Sequence, residues 1–329
     1  MTTLPLEANP RHVLAIDIGG TKLAAGIVTA TGELLDTVRT PTFVEQGPDR
    51  IVERLLDLSR TLLQRSRASV SRVGIGCGGP LDTRRGLIQN PPNLPGWIEY
   101  PLVRRIQAGL GLPVSLENDA NAAALAEYHF GAGQGTRHMV YLTISTGIGG
   151  GLILDGELYR GKHGNAGELG HIQVRYDGRP CNCGGRGCLE GYASGTNIAR
   201  RARELAAHHP ESLLARLVPS LEDIQAQTVL AALQAGDPVA HALWDETLDM
   251  LAAGVASIVH AFDPERVVIG GGISNFADLL FPPLRERVAR RSMPALADSV
   301  DICPAAFAEN VGILGAAAVA LREPMEVSL

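Results

Sequence analysis

The residues able to do chemistry fall in a few short stretches of the 329-residue chain. Asp17-Ile18-Gly19-Gly20-Thr21-Lys22 joins an acid to a glycine turn whose amides and hydroxyl could face a phosphate. A plain hairpin turn would look the same. A similar loop, Ser145-Thr146-Gly147-Ile148-Gly149-Gly150-Gly151, recurs in the second half, and two such loops in equivalent halves favour phosphate binding in a cleft. Glu117-Asn118-Asp119-Ala120-Asn121 lies between a strand end and a helix start. Asp119 there is either a helix cap or a general base, with Asn118 orienting a substrate hydroxyl.

His171, Cys181, Cys183 and Cys188 form a Cys3His ligand set, with glycines 184, 185 and 187 letting the loop wrap tightly. Soft thiolates with one imidazole suit tetrahedral zinc, and four filled positions point to a structural ion. An ordered metal loop would fix Glu168 and Glu190 relative to each other, and paired acceptors suit a polyol. As isolated glutamates they would be solvated surface acids. Cys77 and Cys303 read as buried small hydrophobes.

Two matches to known phosphate fingerprints are set aside. Gly74, Gly76 and Gly79 have dinucleotide-loop spacing without a helix following, and Gly156 to His163 ends in histidine where a P-loop needs Ser or Thr. His163, His208, His209 and His241 have no ligand-like spacing and are expected on solvated faces.

The elements that must hold these residues are alternating strands and helices. His12 to Ile18, Leu23 to Val28 and Glu33 to Val38 read as an antiparallel meander, Pro48 to Ser66 as a helix and Arg72 to Cys77 as a strand: a βββαβ opening. Gly78 to Trp97 is expected to be a long ordered loop. Val114 to Glu117 is a strand and Asp119 to about Phe130 a helix. A second β-rich start, His138 to Ser145 and Gly151 to Leu154, echoes the first as a weak internal repeat. Helices are expected at Thr196 to Ala207, Thr228 to Ala235 and Asp237 to Ala261, the last opened by Asp-Pro. Arg266 to Ile269 is a buried strand.

Composition excludes several classes. With 29 basic and 35 acidic side chains the net charge is −6, unlike a nucleic-acid binder that works by counterion release. Apolar residues make up 45% and charged residues 19%, enough for a sizeable core. Met1 to Pro10 has no basic start with an apolar run, so a cytoplasmic location is expected. Leu248 to Phe262 and Gly312 to Leu321 fall short of the roughly 20 residues of a bilayer span.

Asp17 to Lys22, Glu117 to Asn121, Gly167-Glu168-Leu169-Gly170-His171 and Cys181-Asn182-Cys183-Gly184-Gly185-Arg186-Gly187-Cys188-Leu189-Glu190 together resemble the ROK family of sugar kinases and sugar-responsive repressors, within the actin-like ATPase superfamily. The resemblance runs from about residue 12 to 320. It implies an α/β, two-lobed, ribonuclease-H-like fold with an interlobe active-site cleft. One lobe would span 11–121, with a last helix at about 311–322 packing back on it, and the other 122–310 with the zinc loop. It also implies phosphoryl transfer from Mg-ATP to a hexose, with Asp119 as base. Gly79, Asn118, Glu168, His171 and Glu190 would hold the sugar, His171 serving zinc as well. Asp17 would hold the magnesium ion or its waters. Gly20, Thr21, Lys22, Thr146 and Gly147 would face the ATP phosphates, and Gly271 and Gly272 the adenosine. Glucose is the first choice of sugar because Asn90-Pro91-Pro92-Asn93-Leu94-Pro95-Gly96-Trp97 resembles the glucose-specific form of this loop. N-acetylmannosamine, N-acetylglucosamine and fructose remain alternatives. Family repressors carry an N-terminal helix-turn-helix, and about eleven residues precede the first strand here, so that role is not expected. A homodimer or homotetramer is implied.

Overall fold

The computed structural model describes residues 12–66 and 68–322. The reading of Met1 to Pro10 and the first residue of the 11–121 unit lie outside the described residues. β1 (His12–Ile18), β2 (Lys22–Thr29) and β3 (Leu34–Pro41) form the expected meander. α1 (Gly47–Ser66) follows, and β4 (Val70–Cys77) returns parallel to β1. Ile51, Val52, Leu55, Ser59 and Leu62 are the buried face of α1, the stripe that helical spacing of apolar residues produces.

The segment expected to be loop from Gly78 to Trp97 contains a small hairpin, β5 (Leu81–Asp82) paired with β6 (Leu87–Ile88). Two-residue strands leave no periodicity to read. What holds the segment is burial: Leu81, Leu87, Ile88, Leu94 and Trp97 are all at most 9% exposed, at about 1.5–3 kcal/mol for each large side chain. α2 (Leu102–Leu110), not expected from sequence, precedes β7 (Val114–Asn118) and α3 (Asp119–Phe130).

β8 (Met139–Ile144), β9 (Ile148–Leu154) and β10 (Glu157–Leu158) repeat the meander. β9 runs through Gly149, Gly150 and Gly151, where glycines were expected to interrupt it. A methyl group on Gly151 would lie 2.6 Å from the Ala124 side chain, so the glycine lets α3 lie directly on the strand. After the cysteine loop come α4 (Glu190–Ala193), α5 (Gly195–His208), α6 (Leu213–Arg216), α7 (Ala226–Gln234) and α8 (Pro238–Phe262). Asp237 caps α8 by accepting from the Ala240 amide at 2.8 Å. β11 (Arg266–Gly270) is followed by α9 (Phe281–Arg291), β12 (Asp301–Pro304) and α10 (Val311–Leu321). Neither α9 nor β12 was legible: α9 opens on two prolines and β12 has only four residues.

The strand orders are β3-β2-β1-β4-β7 and β10-β9-β8-β11-β12, the same order with the same mixture of antiparallel and parallel pairs. The internal repeat is therefore a repeat of sheets. α10 packs on β1 and β4 and against α3, returning to the first sheet. Contact is close because the facing residues are small. A methyl on Gly74 would lie 1.8 Å from the Ala316 carbonyl, so that glycine serves packing, not a dinucleotide. Cys77 is buried as expected, whereas Cys303 is only half-buried, being close to the sheet edge on β12. No described helix is long and apolar enough to cross a membrane.

Candidate active site

In the first sheet Ile18, Cys77 and Asn118 stand side by side in register. The parallel strands thus end together, and the loops leaving them gather at their carboxyl ends, where α/β sheets bind ligands. Asn118, not Asp119, is the cap of α3: its Oδ1 accepts from the Ala120 amide at 2.9 Å and the Asn121 amide at 3.3 Å. That corrects the capping alternative for Asp119, and it leaves the Asn118 Nδ2 as the donor that faces Gly79. One oxygen of Asp119, Oδ1, accepts from the Ala120 amide at 2.8 Å. Oδ2 points to the Gly78 side, 3.6 Å from where a side chain there would begin.

Asp119 lines a cleft of ≈ 280 Å³ whose walls include Gly79, Asn118, Gly149, Asn165 and Glu168. Its carboxylate is open to the cleft yet enclosed by protein, and this desolvation raises its pKa above the ordinary value. Asp17, at the end of β1, is pushed up to about 6, by burial first and the Asp119 charge second, with Lys22 and Arg39 pulling the other way. Gly312, in the first turn of α10, leaves room for Asp17: a methyl there would meet the carboxylate. The Gly19-to-Lys22 turn closes with the Gly19 amide donating to the Lys22 carbonyl at 3.0 Å. Thr21 and Lys22 are exposed on it, and Gly20 packs on the Asn93 backbone.

The equivalent turn of the second sheet joins β8 to β9. Thr146 lines a separate cavity of ≈ 270 Å³ with Gly195, Gln225, Gly272 and Phe276. Gly271 precedes Gly272 in a left-handed conformation, φ 82°, held where a side chain would collide with the Ile144 carbonyl. Gly147 lies against Glu190, whose Oε2 accepts from the Ile148 amide at 2.9 Å. Glu190 therefore sits on this turn, while Glu168 lies in the wall of the Asp119 cleft.

His171, Cys181, Cys183 and Cys188 bring their ligand atoms within 4.8 Å of one another. His171 Nδ1 is 3.6 Å from the Cys181 sulfur, and the Cys183 and Cys188 sulfurs are 3.7 Å apart. Tetrahedral zinc with Zn–S of ~2.3 Å and Zn–N of ~2.0–2.1 Å separates its ligands by about 3.5–3.8 Å, so the donor set fits that ion in chemistry and spacing. The other ring nitrogen of His171, Nε2, lies 3.9 Å from Glu168 Oε2. Gly187, φ 73°, makes the turn behind the cluster possible, because any side chain would enter the Arg175 carbonyl.

Gly79, Asn118, Asp119 and Glu168 thus share one cavity, Thr146 and Gly272 another, and the four metal-type residues form a cluster beside the first. Sequence reading gave Glu117 no role of its own and missed Arg160, which is joined to it at 2.6 Å, and a basic chamber of ≈ 660 Å³ lined by Arg84, Arg85, Arg160 and Lys162 that shares Thr83, Gly164 and Asn165 with the Asp119 cleft. His163 is exposed at its wall, and His208 and His241 are exposed as expected, whereas His209 is half-buried where the chain leaves α5.

The sequence pattern of the ROK family matches residues 13–323. A glucokinase of Thermotoga maritima is 41% identical over 93% of this chain and 96% of its own. An N-acetylmannosamine kinase of Citrobacter koseri is 36% identical over 93% of this chain and 98% of its own. The crystal structure of a ROK family glucokinase from Streptomyces griseus in complex with glucose and AMPPNP superposes with a TM-score of 0.78 at 36% identity, covering 94% of this chain and 99% of that one. Two sheets of one topology, the cleft between them and these similarities lead to one conclusion: the chain belongs to the ROK family and has its two-lobed, actin-like ATPase fold.

Proposed function

We propose that the chain is an ATP-dependent hexose kinase that phosphorylates glucose. The observation that carries this reading is Asp119, a carboxylate on the floor of a sugar-sized cleft with one oxygen tied to the Ala120 amide and the other free. The relatives named above, one of them holding glucose and an ATP analogue, support the same reading.

In this mechanism Asp119 takes the proton from a sugar hydroxyl as that oxygen attacks the terminal phosphorus of ATP, and ADP leaves. A pKa raised toward the working pH suits a base. Asn118 Nδ2, the Gly79 backbone and Glu168 hold the sugar hydroxyls, with Glu190 and His171 completing the set. Gly20, Thr21, Lys22, Thr146 and Gly147 cradle the phosphates, and Gly271 and Gly272 border the adenosine. Asp17 would hold magnesium or its waters, and the ion when bound neutralises charge on the transferring phosphoryl group. Positioning dominates such a reaction because its transition state is loose.

His171, Cys181, Cys183 and Cys188 would hold zinc as a structural ion. With Nδ1 on the metal side and Nε2 toward Glu168, His171 links the ion to a sugar-binding carboxylate, which in turn fixes how the imidazole ring is oriented. The lobes are taken as 11–121 with 311–322, and 122–310. That division passes through α3, which packs on strands of both sheets and acts as the link. We take the chain to be a cytoplasmic homodimer or homotetramer. A panel of glucose, N-acetylmannosamine, N-acetylglucosamine and fructose, with ADP release as the readout, tests the substrate. The highest kcat/KM is expected for glucose, and a roughly tenfold preference for an N-acylated sugar would replace it with the second reading that the Citrobacter relative supports.

A further inference from the structure

Glu117 is the penultimate residue of β7, with only 1% of its surface exposed, and none of the roles above uses it. Its Oε1 accepts from the Asn118 amide at 3.1 Å and from Asn121 Nδ2 at 3.0 Å, and its Oε2 accepts from Arg160 Nε at 2.6 Å. A carboxylate this desolvated stays charged only where donors and a cation compensate it. Arg160 comes from the other lobe, two residues past the end of β10. Its own carbonyl accepts from the Ala166 amide at 3.1 Å, closing the loop from 160 to 166 on itself. That loop carries Gly164, Asn165 and Ala166 into the wall of the Asp119 cleft, with Gly167 and Glu168 directly following. One ion pair, buried at Glu117 and partly buried at Arg160, therefore joins the wall bearing Glu168 to the strand end bearing Asn118 and Asp119.

We propose that Glu117 and Arg160 are positioning residues, whose pairing across the cleft sets the sugar-holding loop at the correct distance from the base. The proposal rests on the kinase reading. A pair within one lobe would serve only that lobe's stability, whereas this one spans both walls of the sugar cleft and touches neither the turn from Gly19 to Lys22 nor the Thr146 cavity. Sugar use should suffer when it is removed, and nucleotide use should not.

The test compares Arg160→Met, Arg160→Lys and the double variant Glu117→Gln/Arg160→Met, in melting temperature and in kinetics with sugar and ATP varied separately. Arg160→Met leaves the Glu117 charge unpaired and is expected to melt lowest, and the double variant to recover most of that loss. Although stable, the double variant should keep a sugar kcat/KM about 10- to 100-fold below the unaltered chain, with the KM for ATP within about twofold. Arg160→Lys, a point charge without the planar fork, should fall between. Unaltered sugar kinetics in the stable double variant would overturn the proposal, as would equal losses for sugar and ATP that follow melting temperature. If the unaltered chain released no ADP with any hexose, the kinase reading would fall and the proposal with it, a result told apart by needing no variant.

Discussion

The amino end of α3 and the segment from Gly164 to Glu168 form opposite walls of one cleft, and they are held in place by different means. Asp119 stands where a parallel strand passes directly into a helix, so strand register, the Asn118 cap and the alanine face packed on β9 all fix its backbone. Opposite, the chain from Arg160 onward contains only a 3-10 turn at Leu169–His171 before α4 begins. That wall depends on the Cys and His cluster, on the Arg160 anchor and on glycine turns. A base on regular structure keeps its geometry from the fold itself, whereas sugar contacts on an irregular loop borrow theirs from cross-links.

The comparison breaks first at Asp119. Asp119→Asn is expected to lower kcat by about 10²- to 10⁴-fold with sugar binding largely kept, measured by ADP release and by glucose titration. Near-normal turnover would remove the carboxylate from the mechanism. The opposite wall should respond differently. Cys183→Ser is expected to raise the KM for sugar by about tenfold or more while the KM for ATP changes little, because removing one of the four ligands loosens the loop that carries Glu168, and losing even a group that only orients a metal ligand typically costs about 10- to 100-fold. Zinc measured in the purified chain should be about one ion per chain, and its absence would contradict the structural role.

The smallest effect sharpens the electrostatic side. Asp17 binds its proton more tightly folded, with a pKa of about 6, than unfolded, at 3.8, so its ionisation lowers stability as pH rises between those values. Asp17→Asn should therefore raise the melting temperature of the ligand-free protein at a pH of about 7.5, by up to about 3 kcal/mol of stability, and leave it unchanged near a pH of about 4. An equal gain at both values would locate the effect elsewhere than in the carboxylate's charge.

The βββαβ opening of the first lobe was readable because its elements are long and periodic, as the meander and the stripe of α1 show, and in the second lobe the Asp-Pro start of α8 carries a local signature of its own. α2, α9 and β12 were not, being short or opened by proline. The hairpin in the 78–97 segment was hidden because its stability comes from buried Leu and Trp side chains rather than from alternation. At the site, the Cys3His spacing was legible since three ligands lie within eight residues of sequence. That Asn118 and not Asp119 caps α3 was not, because either side chain can cap a helix and only the backbone angles and hydrogen bonds of the fold choose.

Sequence alone determined that this chain has two glycine turns in equivalent halves, an acid at a strand-to-helix junction, and a metal-type loop, since each is written in neighbouring residues. Only the tertiary structure decided that Glu117 meets Arg160, that Glu190 rests on the Ile148 amide, and that His171 faces thiols with one nitrogen and Glu168 with the other. The physical reason is that the first two join residues far apart in the chain and the third depends on how one ring is turned, so sheet register and packing fix them, and these summed contacts leave no pattern along the chain.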